Sequence, residues 1–415
     1  MRNNGNKTRR QLLKMSAALA GAGVVAGCIG NSDDGDDEST GNEKTDTEST
    51  ATPAPKTETK TPEETPTQTP DDSGDETGSD DSSSSYSVTM EPVGTLEFDS
   101  PPETWAANNG SWADMGIALG QDPPEAVYLT GRYHTQLYEE IPDVSVDKSD
   151  MKSFWADELD PEEFLSMAED VDVFVSDPNF IIGRTGDWEQ KDIDRITSTG
   201  TPFFGNSSFS RGYEWHDYDY LSLYDAFEKM AELFQEQERY AAFEKVHTEL
   251  QQRIEGILPS EDERPSVAIM WPKPTEKPEK FSPYLIDDGT SFKQWRDLGV
   301  EDAFATTDVA DFHAGRSRVD YEMLLEIDPD VLLLRGNEAK TAQEFEDTLL
   351  SFMQDHNIAS NLSAVQNGDV YRGGPLYQGP ITNLVMTERA ANQVYDVEEE
   401  LFDRQRVSDI VNGNF

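Results

Sequence analysis

The chain has 415 residues, room for two or three domains, and carries 83 acidic against 33 basic residues for a formal charge of −50. A protein this anionic repels phosphate backbones, which argues against nucleic acid as a partner. The acidity suits a halophilic, high-salt setting, where screening shortens the Debye length to about 3 Å at 1 M. The single cysteine, Cys28, excludes an intramolecular disulfide framework and a cysteine-based zinc site.

Basic residues around Arg9, Arg10 and Lys14 precede a small apolar run from Met15 to Ala26. This is the pattern of an export signal over 1–27, too short to span a membrane comfortably. The arginine pair resembles a twin-arginine signal. Val25-Ala26-Gly27-Cys28 resembles a lipobox, in which the cysteine carries the lipid. Residues 28–85 are mostly Asp, Glu, Ser, Thr, Pro and Gly, with acids far outnumbering Lys44, Lys56 and Lys60. Such a segment buries too little apolar surface to fold, so an extended, disordered tether is expected.

From 86 to 218 the pattern alternates strand and helix. Ser87–Met90 and Thr95–Phe98 read as strands. Trp105–Ala107 leads through the polar turn Asn108-Asn109-Gly110-Ser111 into an apolar helix ending at Gly120, with Ser111 as the expected cap. Ala126–Leu129 and Val171–Val175 read as further strands, with helices over 161–168 and 190–198. An apolar stripe at helical spacing then runs from Asp219 to Leu258, stepping from Phe234 to Phe243, which predicts one long helix between two lobes, with a helix packed along one domain or two helices broken near Gln237–Glu238 as the alternatives. From 259 to 415 the alternation returns: Ser266–Met270 and Val331–Leu334 read as buried strands, with helices over 321–327 and 380–395. The expected fold class is α/β, two Rossmann-like lobes with parallel sheets.

Ligands of such sheets bind beyond the carboxyl ends of the strands. The loops there hold Asn108, Asn109, Trp112, Arg132, Tyr133, Trp155, Arg211, Trp215, Trp271, Arg335, Arg372 and Tyr377. Aromatic walls with a few fixed guanidinium groups suit a large planar or chelated anion. His134, His216 and His313 stand near Asp177 or Asp311 without the tight spacing of a metal site, and Tyr133 or His134 are the available haem ligands. No nucleophile elbow, P-loop or dinucleotide turn is present, so catalysis is not expected and a secreted hydrolase is the weaker alternative.

Three segments together carry a resemblance. They are Asn108–Gly120, the run Glu322-Met-Leu-Leu-Glu-Ile-Asp-Pro-Asp-Val-Leu-Leu-Leu, and Ala364–Tyr371. The chain resembles the iron-complex and cobalamin class of ABC-transporter substrate-binding proteins, a siderophore-type family of the class III periplasmic-binding-protein fold. The resemblance implies a lipid-anchored monomer on the extracytoplasmic face. It would deliver a ferric chelate, or else cobalamin or haem, to an ABC permease dimer with its ATPase subunits, and need no cofactor of its own. It also implies a permease-docking glutamate on each lobe, mapped to Glu163, beside Glu162, and to Glu322.

Overall fold

The computed structural model describes residues 85–154, 160–185, 188–315 and 317–415. The export signal, Cys28, the tether up to residue 84 and Trp155 lie outside the described residues. A hairpin comes first. Strands β1 (Tyr86–Met90) and β2 (Gly94–Phe98) pair antiparallel, and the Tyr86 hydroxyl donates to the Leu233 carbonyl.

The first lobe is built on β3 (Trp105–Ala107), β4 (Ala126–Val127), β5 (Lys152–Ser153) and β6 (Val173–Val175), in the order β5-β4-β3-β6. All three pairings are parallel. Helices α1 (Gly110–Ala118), α2 (Pro161–Met167), α3 (Pro178–Thr185) and α4 (Gln190–Thr197) follow the strands. The cap of α1 is Asn109, not Ser111: its backbone is extended and its Oδ1 accepts from Ser111 N at 2.9 Å. Ser111 is already inside the first turn and fully buried.

The single helix expected over 219–258 is two helices, α5 (Leu223–Phe234, 12 residues) and α6 (Gln237–Ile257, 21 residues). Gln235 sits in the left-handed region at φ 58, which ends the i→i−4 ladder, and the polar run beyond it offers no apolar anchor to hold a straight course. α5 folds back: Phe227 meets Phe243 and Tyr240 of α6 at ring distances of 5.7 and 5.5 Å, and Phe234 meets Trp105 at 5.5 Å. The connector to the second lobe is therefore α6 alone, about 32 Å long.

The second sheet holds β7 (Ser266–Lys273), β8 (Lys280–Tyr284), β9 (Glu301–Asp302), β10 (Val331–Leu334) and β11 (Val370–Arg372), in the order β11-β10-β7-β8 with β9 beside β7. It is not purely parallel as expected, because β8 runs antiparallel to β7. Alternation splits β7 between two cores. Val267 and Ile269 join the cluster shared with the first lobe, while Ala268 and Met270 pack with Leu332 and Leu334 on the other face. The helices beyond α6 include α7 (Lys293–Asp297), α8 (Tyr321–Ile327), α9 (Pro380–Tyr395) and α10 (Arg404–Val411).

The division at 259 separates the sheets but not the last helices, because α9 returns to the first lobe. Asp114 of α1 accepts at Oδ2 from Ile381 N (3.0 Å), Thr382 N (3.1 Å) and Thr382 Oγ1 (3.1 Å). Its carboxylate thus answers the free N–H groups and positive dipole end of α9. Complete burial pushes its pKa up to about 6 against those hydrogen bonds. The described residues belong to one compact unit, and no described helix is long and apolar enough to cross a membrane.

Candidate binding site at the strand ends

Beyond Leu334 the chain places Arg335, whose backbone N–H still bonds Met270 O at 2.8 Å and so extends the ladder by one residue. The side chain is fully buried. Its Cζ lies 4.6 Å from the centre of the Phe292 ring and 5.2 Å from that of Tyr284, a cation held between aromatic rings. Nη2 donates to Ser291 O at 2.7 Å, whereas Nε and Nη1 have no acceptor in the protein. Burial lowers its pKa to about 10, partly offset by Tyr284, Asp287, Asp311 and Glu338, so the group stays cationic at neutral pH.

Ser291 is also where the lobes meet. Its N and Oγ donate to Phe209 O at 3.1 and 2.7 Å, and Thr290 N donates to Ser208 O at 3.0 Å. Gly289 permits this approach, since a Cβ there would lie 2.4 Å from Phe209 O. Gln378 adds Nε2 bonds to Ser291 O (3.3 Å) and Gln294 Oε1 (2.9 Å), and its N donates to Ser111 Oγ across the lobes at 3.0 Å. Ser208 Oγ, Thr290 Oγ1 and Asn337 Oδ1 are likewise buried without a protein partner. Unmet capacity grouped around one guanidinium is what a polar ligand would satisfy.

The aromatic walls come from both lobes. Arg132 of the first lobe lies over Trp271 of the second at 5.0 Å, and Gly336 (φ +79) gives the indole its room. Lys148 Nζ, bonded to Thr130 O and Tyr133 O, fixes the turn that carries Arg132. Phe209 meets Tyr377 edge-on at 5.4 Å, and Tyr133 and Tyr377 both pack on Gly110 beside Asn108 and Asn109. The sequence-predicted residues Asn108, Asn109, Arg132, Tyr133, Trp271, Arg335 and Tyr377 thus form one neighbourhood.

The others are placed differently. Trp112 is 1% exposed and packs in the same core cluster as Tyr133 and Tyr377. Trp215 packs on Gly183 and Tyr213, and Arg211 lies 3.9 Å over Tyr220 while its N bonds Asp287 Oδ2 at 2.8 Å. Arg372 is in register with Leu334, one residue short of Arg335, so strand alternation sends the two guanidinium groups to opposite faces. Sequence reasoning missed Tyr284 and Phe292, which flank Arg335, and Ser291, which receives it. Their only signal was proximity to a strand end.

The metal and haem readings fare differently by residue. The Tyr133 hydroxyl is hydrogen-bonded to Tyr138 at 2.9 Å and buried. His216 sits between Tyr218 and Tyr220 at 3.9 and 3.5 Å, while Asp177 accepts from Tyr218. The side chain of His313 lies outside the described residues. Among the described residues no three metal-binding groups converge.

On the outer surface, Asp160 caps α2 and Asp320 caps α8. Counted from these caps, Glu162 is the counterpart of Glu322; counted back from the ends of β6 and β10, Glu163 is. Glu162 is held by Arg195 through two bonds of 2.6 and 3.2 Å. Glu163 and Glu322 are exposed.

Residues 172–376 match a family model described as periplasmic binding protein. No curated protein matches the sequence. Among solved structures, a periplasmic binding protein from Veillonella parvula is similar at a TM-score of 0.53 and 14% identity, over 76% of this chain and 99% of that one. The iron uptake ABC transporter substrate-binding protein PiuA from Streptococcus pneumoniae gives 0.50 and 16%, over 75% and 99%. The heme binding protein HmuT, as a variant, gives 0.51 and 15%, over 75% and 86%. The family resemblance and the two-lobed α/β fold expected from the sequence are borne out.

Proposed function

The chain carries a periplasmic-binding-protein domain, and from that premise we propose that it is an extracytoplasmic receptor for a ferric chelate of net negative charge, feeding an ABC importer. The match is to a binding-protein family, and no reaction is assigned to the site. The observation that carries the ligand class is Arg335, a buried guanidinium between two rings with two nitrogens unpaired in the protein. A carboxylate or anionic chelate oxygen is the partner such a group accepts bidentately. The names of the structural neighbours, iron uptake for one and heme for another, agree with an iron-bearing cargo.

A thermal-shift panel tests the ligand class. At 100-fold excess over the dissociation constant the ligand stabilises the native state by about 2.7 kcal/mol. Anionic ferric siderophores should give that shift and neutral ones a smaller one. A shift with cobalamin or haem alone would overturn the choice of chelate.

Delivery needs a docking surface, and Glu163 on α2 with Glu322 on α8 presents one free carboxylate per lobe. The double variant Glu163→Lys/Glu322→Lys is expected to lower permease-dependent uptake by roughly tenfold, about 1.4 kcal/mol, with chelate affinity unchanged. Undiminished uptake in that variant would remove both residues from the docking surface.

A further inference from the structure

A cavity of about 390 Å3 opens where Gln136 and Leu137 of the first lobe meet Glu338, Arg372 and α9, and of the groups named around Arg335 it is lined by Glu338 alone. The volume lies within the range of small-molecule sites. Its inner wall is cationic. Arg372 and Arg389 face it together, and their proximity shows in the lowered pKa of Arg372, caused first by burial and then by Arg389. They share one buried carboxylate, Glu338, whose two oxygens are already taken by Arg389 Nη2 at 2.6 Å and Gly374 N at 2.9 Å. Arg372 spends a donor on Lys340 O, and Arg389 Nε is buried with no acceptor.

The mouth has the opposite sign. Glu140, Glu398 and Glu399 are exposed there, while Glu388 is paired with Arg404. Leu137, Val385 and Val397 supply apolar sides between the two. A simple anion suits the inner wall and is repelled at the mouth; a simple cation meets the reverse. We propose that this cavity binds a compact amino-carboxylate, with its carboxylate on Arg372 and Arg389, its ammonium among the mouth glutamates and a short aliphatic stem between them.

Calorimetric titration of the full chain at fixed ionic strength tests this with 6-aminohexanoate, using hexanoate and hexylamine as its two halves. Saturable binding of 6-aminohexanoate, at least tenfold tighter than either half (about 1.4 kcal/mol), is the expected result. Glu398→Gln/Glu399→Gln, a surface change that spares the fold, should weaken that binding about tenfold and leave ferric-chelate binding as it was. Three results would overturn the proposal: no saturation by about 50 mM, hexanoate or hexylamine binding as tightly as the whole molecule, or indifference to the mouth variant.

Discussion

Replacing Arg335 by methionine is expected to weaken binding of an anionic ferric chelate by a hundredfold or more while leaving the protein at least as stable. The two halves of this expectation have one cause. The guanidinium is removed from water between Phe292 and Tyr284, and only one of its nitrogens is repaid, by Ser291 O. Buried charges that are incompletely paired cost several kcal/mol, and apolar replacements of similar volume are often neutral or stabilising by about 1–4 kcal/mol. Methionine fills a similar space and can pack on both rings. Ser291 O is not orphaned by the change, since Gln378 Nε2 still reaches it at 3.3 Å. Losing one partner of a buried, hydrogen-bonded charge pair weakens binding by about 2–5 kcal/mol. Melting curves and chelate titrations on Arg335→Met check the two halves separately. A destabilised variant that still binds its chelate would show Arg335 to be a structural cation, not a ligand contact.

A buried charge left incompletely paired is what sequence patterning cannot display, and this explains which parts of the molecule were legible. The strands were, because β7 and β10 are apolar runs that only a buried sheet accommodates. The helix starts were partly so. Both Asp160 and Asp320 precede their helices as caps, yet at α1 the capping role fell to Asn109 because the helix already starts at Gly110, inside the polar turn, which puts Ser111 in its first turn. The break between α5 and α6 was legible only as an alternative placed near Gln237–Glu238, since Gln235 is no breaker by composition and adopts the left-handed conformation that lets Phe227 reach Phe243. That contact is tertiary and leaves no period in the sequence. Within the candidate site, Arg335 was singled out because it follows β10, and Trp271 because its strand reads from the sequence as ending at Met270, whereas β7 runs on to Lys273. Arg372, also at a strand end, falls on the opposite face by a single step of alternation, and Trp112 is buried in the core together with Tyr133 and Tyr377.

The second large effect is expected at Glu338, three residues beyond Arg335. Its side chain is 1% exposed and binds Arg389, itself 20% exposed, at 2.6 Å, and its own carbonyl accepts from Gln136 Nε2 of the first lobe at 3.0 Å. Burial alone would raise its pKa, but Arg389, with His134 and Arg372, holds it below the ordinary carboxylate range. Both carboxylate oxygens accept, from Arg389 and from Gly374 N, so glutamine must point its NH2 at one donor or the other. Glu338→Gln is therefore expected to destabilise by about 3 kcal/mol, the lower end of the range for breaking a buried pair, because Arg389 keeps some contact with water. In Glu338→Gln/Arg389→Met the opposing donor is gone, and the glutamine oxygen can serve Gly374 N. The double variant should thus be less destabilised than the sum of the singles, with a coupling of about 2 kcal/mol in urea unfolding. Little of that coupling should vanish on raising the salt, since a pair this enclosed is weakly screened, unlike the exposed Lys152–Asp170 pair at 3.2 Å. Additive singles would mean that Glu338 holds the Gly374 turn without help from Arg389, and that the cationic wall of the neighbouring cavity is set by other groups.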